Sequence, residues 1–433
     1  MNRDTEGQSD RLVGLPFLFF WICLWTTVWG PGAAPVAATG APAAKEASPA
    51  EFRGIWVVRS TMASAEGITR AVTLARRANF NAVLLQVRGR ADAYYTSRLA
   101  PPGEDVDEAE NGFDPLEHAI KECREAGLEV HAWVNLFLAW NPTQRRPRSP
   151  DHLLNRHPEW FMGSSDGIDM GRMDLDGVDL VRRGVEGRYL SPAVPEVREH
   201  LVDVVAEIVR GYDVDGVHLD YVRYPNRHYD FGLLSRAAFV RQYRFDPLSL
   251  VSDSAGAGDP EGDRIWERVQ WQRWRTQQVN RQVEAIRAAL DRSAPWVKLS
   301  AAVKPDFKAA YYENGQDWIG WINRGIVDFI VPMFYAGSTR QIETQIREAR
   351  KYVKKGHLYA GIGVWNQSLT ETAAQVEVAR QLALQGIALF SYDSLVRDAG
   401  SMERLREGVF RHPSRIPRMR WKKGRDGPKT YTR

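Results

Sequence analysis

The chain has 433 residues, of which 44% are hydrophobic and 26% charged, a composition typical of a globular protein rather than a disordered one. Its net charge is +4, and the segment from Arg411 to Arg433 alone contains nine Lys or Arg residues against one acidic residue. The body of the chain therefore lacks the basic surface of a nucleic-acid-binding protein. Two cysteines, of which only Cys123 lies outside the N-terminal apolar segment, exclude a disulfide framework and a cysteine-based zinc site.

The N-terminus has the pattern of an export signal. Arg3 and Arg11 precede an apolar run over residues 12–29, and small residues follow it. We predict a signal peptide or membrane anchor over residues 1–38, with cleavage favoured over a retained anchor, and an Ala/Pro-rich linker over residues 39–50. Both interpretations imply an exported protein, periplasmic or at the cell surface.

Strand-like and helix-like segments alternate between about residues 51 and 410. The predicted strands cover residues 53–58, 81–88, 129–135, 214–225, 298–303, 328–335, 358–365 and 386–393. The predicted helices cover residues 65–79, 115–127, 195–211, 264–292, 317–325, 340–355 and 370–385, with a last one ending near residue 410. This alternation predicts an α/β fold, a (β/α)8 TIM barrel. A doubly wound sheet is disfavoured because no glycine-rich phosphate turn follows the first strand.

The long connection after the third strand, residues 136–195, is predicted to form one wall of a cleft. It carries Trp140, Trp160 and Phe161, which suit glycan binding. The basic C-terminal segment, residues 411–433, is predicted to be a disordered tail, with binding to an anionic wall polymer or lipid headgroups as the alternative.

The fourth predicted strand, VDGVHLDYVRYP, has an unusual polar face. Residues two apart share a face of a strand, so His218 and Asp220 point away from Val217 and Leu219. A buried carboxylate without a partner is costly, and Asp220 has no helix to cap. Because the carboxyl ends of barrel strands form the active site, Asp220 is predicted to be functional.

Other predicted strands repeat this pattern of polar residues on the face opposite their apolar one. The inward positions include Gln86, His131, Trp133, Asn135, Ser300, Lys304, Trp365, Ser391 and Asp393. Polar faces on most of eight strands are hard to explain by packing alone, so the sequence predicts a site at one end of the barrel.

Several long motifs occur in order from about Glu51 to Arg397, among them RGIWVV, QVRGRADAYY, GLEVHAWVN, HPEW, YLSPAVPEVREHL, YDVDGVHLDYVRYP, QDWIGWINRGIVDFIVPMFY and GIALFSYDSL. Together they resemble the bacterial glycosyl-hydrolase-like family ten, which includes a divisome-localised glycosidase that cleaves peptide-free peptidoglycan strands. The resemblance implies a barrel, an extracytoplasmic glycan substrate and acidic catalytic residues. Within it, the strand-four Asp matches Asp220 and an Asp in the loop after strand two matches Asp92.

Glycosidases place two carboxyl groups beside the scissile bond, so Asp220 needs a partner. Asp306 is the first candidate because it follows the neighbouring fifth strand, and Asp393 and Asp92 are the others. The residues predicted to bind substrate are Gln86, Asp92, His131, Trp133, Asn135, His218, Tyr221, Arg223, Lys304, Tyr335 and Trp365.

Two other functions remain open from the sequence. His131, His218 and Asp220 could converge on a metal in a metal-dependent hydrolase, although the His-x-His pair expected on the first strand is absent. A non-catalytic glycan-binding barrel is the second, because the fifth strand lacks a Glu at its end. The prediction retained is a glycoside hydrolase without metal or cofactor that acts on a polysaccharide, with its oligomeric state left open.

Overall fold

A computed structural model describes residues 50–106, 112–140, 146–173, 175, 177–252 and 264–422 of the chain. The predicted signal or anchor and nearly all of the linker lie outside these residues. Among the helices of the described ranges, none combines the length and apolar character that crossing a membrane requires.

Eight parallel strands close into a barrel in the order β1-β10-β9-β8-β7-β6-β3-β2, which confirms the predicted fold. A separate antiparallel pair, β4 and β5, lies in the connection after β3. The strand bounds are β1 Phe52–Val57, β2 Ala82–Arg88, β3 Glu129–Asn135, β4 Leu138–Trp140, β5 Arg188–Tyr189, β6 Gly216–Asp220, β7 Lys298–Val303, β8 Phe329–Pro332, β9 His357–Gly363 and β10 Gly386–Phe390.

Helices follow the barrel strands and surround them. Their bounds are α1 Arg59–Met62, α2 Ala65–Arg77, α3 Pro115–Ala126, α4 Leu153–Arg156, α5 Gly177–Arg182, α6 Pro195–Gly211, α7 Leu233–Tyr243, α8 Ser249–Ser252, α9 Ile265–Ser293, α10 Phe307–Asn314, α11 Trp318–Asn323, α12 Thr339–Tyr352, α13 Leu369–Gln381, α14 Tyr392–Leu395 and α15 Ser401–Glu407, with a 3-10 helix at Pro158–Trp160.

Local sequence signals account for the ends of α3. The Asp114 side chain accepts a hydrogen bond from the backbone N–H of Glu117, and Pro115 occupies the first turn, where its missing N–H costs nothing. Gly127 ends the helix with φ 69°, a left-handed conformation that glycine adopts without strain.

The two faces of each barrel strand pack in different cores, one between the strands and the helices and one inside the barrel. Val217 and Leu219 of β6 point outward and pack in the large core between strands and helices. The inside of the barrel is filled by aromatic rings, with Phe52 stacked on Tyr359 at 4.5 Å between ring centroids. The interior of the barrel is therefore packed, which directs any site to the carboxyl ends of the strands.

The connection after β3 folds onto the barrel through the aromatic residues that were predicted to bind glycan. Trp140 and Phe161 are only 2% and 5% exposed. Trp160 stacks on His157, with ring centroids 4.0 Å apart. These three rings hold the connection in place and none of them lines the cavity described below, which corrects the interpretation of them as a sugar-binding wall.

The described part of the basic C-terminal segment packs under the barrel. Arg415 pairs with Ala50 in a short parallel bridge, and Met419 is buried against the inner core. The Trp421 indole N–H donates to the Asp328 carboxylate at 2.9 Å. The prediction of a disordered tail is therefore wrong for residues 411–422, because these residues provide buried apolar contacts and ion-pair partners.

Candidate active site

A cavity of about 650 Å³ opens at the carboxyl ends of the barrel strands. Its walls combine aromatic rings, cations and two acidic side chains. The lining residues are Val58, Arg59, Gln86, Gly89, Arg90, Trp133, Asn135, Leu138, Glu186, Asp220, Tyr221, Arg223, Lys304, Pro305, Met333, Tyr335, Trp365 and Phe390. Its position is where TIM barrels carry their active sites.

Asp220 is the last residue of β6, and the chain turns sharply after it. Tyr221 has φ 49°, a left-handed conformation that is uncommon for a residue with a side chain. The turn lets the backbone N–H of Tyr221 donate to Asp220 Oδ1 at 2.7 Å. The carboxyl group is thereby held at the floor of the cavity, and only 8% of the residue is exposed.

Glu186 is the second acidic side chain that the described residues contribute to the cavity. It accepts hydrogen bonds from Arg223 and from the Tyr189 hydroxyl, both at 2.8 Å. Glu186 precedes β5, and a side chain at Gly187 would place its Cβ 2.1 Å from the carbonyl oxygen of Trp140. The glycine therefore allows the close pairing of β4 and β5 that holds Glu186 over the barrel.

The surroundings move the pKa values of the two carboxyl groups in opposite directions. Burial raises the pKa of Asp220 to about 6, although the Tyr221 N–H and the charge of Arg223 oppose the shift. Burial also acts on Glu186, but the charge of Arg223 and its hydrogen bond offset this and lower the pKa of Glu186. Near pH 5 the structure thus favours one protonated and one ionised carboxyl group in the same cavity.

The structure brings most of the predicted binding residues together with Asp220. Those that line the cavity are Gln86, Trp133, Asn135, Tyr221, Arg223, Lys304, Tyr335 and Trp365. Three of the aromatic rings form a cluster, in which Trp365 contacts Tyr335 and Phe390 with ring centroids 4.6 and 5.5 Å apart. Trp365 is 48% exposed, and such a ring suits stacking against the C–H face of a sugar.

The three predicted partners of Asp220 lie outside this cavity. Asp306 is exposed and caps α10 by accepting from the N–H groups of Lys308 and Ala309. Asp393 accepts from the Thr61 hydroxyl at 2.5 Å. Asp92 is buried, and its carboxylate accepts hydrogen bonds from the backbone N–H and from the guanidinium of Arg90. None of the three therefore lines the cavity with Asp220, whereas Glu186 does.

The two predicted histidines also lie outside the cavity, inside the barrel. His131 faces Glu129 at 3.2 Å and packs edge-on against Phe52. His218 shares a hydrogen bond with the Ser300 hydroxyl at 2.9 Å, and burial lowers its pKa well below the usual range. Both are fully buried, so they support the floor and do not contact a substrate in the cavity.

These positions also bear on the metal-site hypothesis. Within the described ranges, no group of three or more His, Cys, Asp or Glu side chains lies close enough together to hold a metal ion. Each histidine has a partner inside the barrel, and the Asp220 carboxylate accepts from the backbone N–H of Tyr221 at the cavity floor.

Two cations in the cavity have no carboxylate partner among the described residues. Arg90 pairs with Asp92 and Arg223 pairs with Glu186, but Arg59 and Lys304 form no such ion pair. Burial and the charge of Arg223 lower the pKa of Lys304. Arg59 is the first residue of α1, which follows β1, and Lys304 directly follows β7. Because β1 and β7 lie on opposite sides of the closed barrel, the two cations reach the cavity from opposite sides.

A closed (β/α)8 barrel with a carboxyl pair and aromatic rings at its carboxyl end defines the class of TIM-barrel glycoside hydrolases. The family description that matches this chain is Glycosyl hydrolase-like 10, over residues 51–377. The chain belongs to this family, as its motifs predicted, and it is a glycoside hydrolase.

Named relatives agree with this assignment. The chain is 26% identical over 383 residues to glycosyl hydrolase YngK of Bacillus subtilis, covering 80% of this chain and 67% of that protein. It is 24% identical over 335 residues to glycosyl hydrolase DigH of Escherichia coli K12, covering 70% and 69%.

Solved structures show the same fold. The glycoside hydrolase domain of PgaB (BpsB) from Bordetella bronchiseptica matches with a TM-score of 0.57 at 12% identity, covering 82% of this chain and 98% of that one. The GH42 β-galactosidase Gan42B from G. stearothermophilus matches with a TM-score of 0.54 at 13% identity, covering 83% and 56%. At these identities the likeness concerns the fold alone.

Proposed function

We propose that this glycoside hydrolase cleaves peptide-free peptidoglycan strands outside the cytoplasm, with Asp220 as general acid and Glu186 as the ionised partner. The observation that carries the catalytic assignment is the pair itself, because the two groups line one cavity and their pKa values are shifted in opposite directions. Protonated Asp220 donates to the glycosidic oxygen as its bond to the anomeric carbon breaks. Ionised Glu186 attacks that carbon or activates the water that does so.

The substrate proposal rests on the aromatic and cationic walls. Trp133, Tyr335 and Trp365 provide rings for a sugar chain, and Arg59 and Lys304 provide unpaired positive charge. In a peptidoglycan strand every second sugar carries a lactyl group, whose carboxylate is free once the peptide has been removed. A free carboxylate satisfies an unpaired cation, whereas a peptide-bearing lactyl group is neutral at that position.

The extracytoplasmic location is supported by the N-terminal sequence. Arg3, Arg11 and the apolar run over residues 12–29 are typical of an export signal. Cell fractionation together with mass analysis of the mature N-terminus tests this. A full-length protein that stays in the cytoplasmic fraction contradicts it.

The catalytic assignment is tested with purified protein and glycan strands, with and without peptides, by mass analysis of the products. We expect Asp220→Asn and Glu186→Gln each to lower kcat by at least about a thousandfold. Asp306→Asn and Asp393→Asn are matched controls, since both are carboxylates at strand ends that do not line the cavity, and they should retain near-normal turnover.

The result distinguishes the assignments. Near-normal turnover by folded Glu186→Gln together with loss in Asp306→Asn or Asp393→Asn contradicts the pair proposed here. Equal cleavage of peptide-bearing and peptide-free strands contradicts the substrate proposal while leaving the catalytic pair intact.

A further inference from the structure

A second cavity, of about 760 Å³, lies at the opposite end of the barrel. We call it the basal pocket. It is formed below the amino ends of β8 and β9, between helix α9 and the C-terminal segment, and Asp328, Gly356 and Trp421 are among its walls. Because a barrel strand of about seven residues spans about 20 Å, the basal pocket is separated from Asp220 by the full height of the barrel.

The basal pocket has an excess of positive charge. Arg287 and Lys422 approach the Asp328 carboxylate at 3.3 and 3.1 Å, and Arg287 also pairs with Asp291 at 2.7 Å. The two carboxylates of the pocket are thus neutralised by cations already present.

Two further cations, Lys354 and Lys355, line the same pocket. Both side chains are exposed, and neither forms an ion pair with any described residue. The pocket therefore offers two ammonium groups to an anion from outside the chain.

Trp421 adds an aromatic surface beside these charges. Its indole N–H is fixed on Asp328 at 2.9 Å, and His357 packs against the ring at right angles with centroids 5.0 Å apart. Even so, 50% of Trp421 is exposed. A large aromatic ring that is anchored at one edge and open elsewhere can stack against a sugar ring at little cost in side-chain entropy.

We propose that the basal pocket binds an anionic glycan, a sugar chain that carries carboxylate or phosphate groups. A sugar ring stacks on Trp421, and the acidic groups pair with Lys354 and Lys355. A recessed pocket with one exposed ring fits a chain of sugars better than a flat lipid surface, against which a protein lays several apolar side chains. The site does not depend on the catalytic proposal, and it allows the protein to hold a polymer at one end of the barrel while it cleaves at the other.

The proposal is tested by calorimetric titration of the purified protein with an oligomer of galacturonic acid, a glycerol phosphate oligomer and a neutral N-acetylglucosamine oligomer. We expect at least one acidic oligomer to bind, and binding to weaken as the salt concentration is raised. The double variant Lys354→Ser/Lys355→Ser should lower that affinity by at least about tenfold, since it removes two charge-assisted contacts. Turnover of a short substrate should stay unchanged.

Two controls separate binding from folding and from general charge. Arg76→Ser/Arg77→Ser removes two exposed cations from α2, far from the pocket in the fold, and should bind like the unsubstituted protein. Trp421→Phe keeps an aromatic ring but loses the N–H that donates to Asp328. A thermal melt of this variant measures how much that hydrogen bond stabilises the fold, separately from glycan binding.

Several results overturn the proposal. These are failure of the unsubstituted protein to bind either acidic oligomer, unchanged affinity in Lys354→Ser/Lys355→Ser, or an equal loss in Arg76→Ser/Arg77→Ser. Binding to phosphatidylglycerol vesicles without binding to either acidic oligomer identifies a membrane contact and overturns it as well.

Discussion

At the scale of single residues, Asp220 and Glu186 differ in the surroundings that set the pKa of each carboxyl group. Asp220 is enclosed at the strand end, where the Tyr221 backbone N–H donates to its carboxylate. Glu186 is partly exposed and shares its carboxylate with Arg223 and Tyr189. Desolvation therefore favours the neutral form of Asp220, whereas a direct ion pair favours the charged form of Glu186.

This difference predicts a bell-shaped pH profile. The proposed mechanism requires Asp220 protonated and Glu186 ionised, so kcat/KM should fall as the pH rises above about 6. It should also fall in acid, below the usual range of a glutamate, because the pKa of Glu186 is lowered. Initial rates between pH 3 and 9 check this, and activity that instead rises through pH 6 to a plateau indicates that Asp220 works ionised.

The same shift predicts that Asp220→Asn stabilises the protein at neutral pH. The pKa of Asp220 is raised from 3.8 to about 6 on folding, so the folded state binds this proton more tightly than the unfolded chain. The stability from this group is present below pH 4 and is lost as the pH rises to 6. Asn avoids that loss, so the variant should gain about 1–3 kcal/mol in unfolding free energy at pH 7 relative to the unsubstituted protein.

Urea unfolding at pH 4 and pH 7 measures this gain. The difference between the two proteins should shrink towards zero at the lower pH. A variant that is less stable at pH 7 shows that Asp220 is held by favourable ionic contacts and is not destabilised by burial.

At the scale of elements, the connection after β3 builds a wall of the cavity through its strand pair. Leu138 of β4 and Glu186, two residues before β5, line the cavity. The aromatic residues of the connection point elsewhere. Trp140 lies under the Arg90 guanidinium, 5.0 Å from the ring centroid, and Trp160 stacks on His157. The aromatic rings hold the loop against the barrel, whereas Glu186, the residue before Gly187, faces the cavity.

A matched pair of tryptophan variants tests this division. Trp160→Ala removes a stacked, partly buried ring, so it should lower the unfolding free energy by about 1–3 kcal/mol and leave KM unchanged for long and short chains. Trp365→Ala removes an exposed ring of the cavity, so it should raise KM, most for long chains, with little loss of stability. Thermal melts and steady-state kinetics on both variants measure this. The reverse pattern contradicts the assignment of Trp160 to loop packing.

At the scale of the whole molecule, the ends of the described chain meet under the barrel. Arg53 donates to the His412 carbonyl oxygen at 2.7 Å, and Glu51 accepts from Arg53 and Arg380. Met419 packs against the inner core from below. The Asp328 carboxylate accepts a hydrogen bond from the Trp421 indole and forms an ion pair with Lys422. The C-terminal segment therefore acts as a cover for the amino end of the barrel.

Two truncations test the cover. Ending the chain after Phe410 removes the buried Met419 and two partners of Asp328, Trp421 and Lys422, and should lower the unfolding free energy by about 3–5 kcal/mol. Ending it after Lys422 keeps these contacts and should leave stability within about 0.5 kcal/mol of the full chain. Chemical unfolding of both proteins decides the question, and equal stability of the two contradicts a structural role for residues 411–422.

Much of the architecture could be predicted because its signals are local. Apolar residues at intervals of two mark which face of each strand meets the helices, and the predicted bounds of β3 and β7 match the structure. Asp220 could be found in the same way, since its position at the end of a strand and on the inward face follows from the chain around it.

Tertiary structure decided the proposed catalytic pair, the places of the histidines and the C-terminal cover. Asp220 ends β6 and Asp306 lies just beyond the end of β7, but the Asp306 carboxylate accepts from the backbone N–H groups of the first turn of α10. Glu186 carries no periodic signal, and it reaches Arg223 only because β5 pairs with β4, nearly fifty residues earlier in the chain, across Gly187. A strand pattern specifies which way a side chain points from its own backbone, whereas the partners that fill a cavity are set by contacts between segments far apart in sequence.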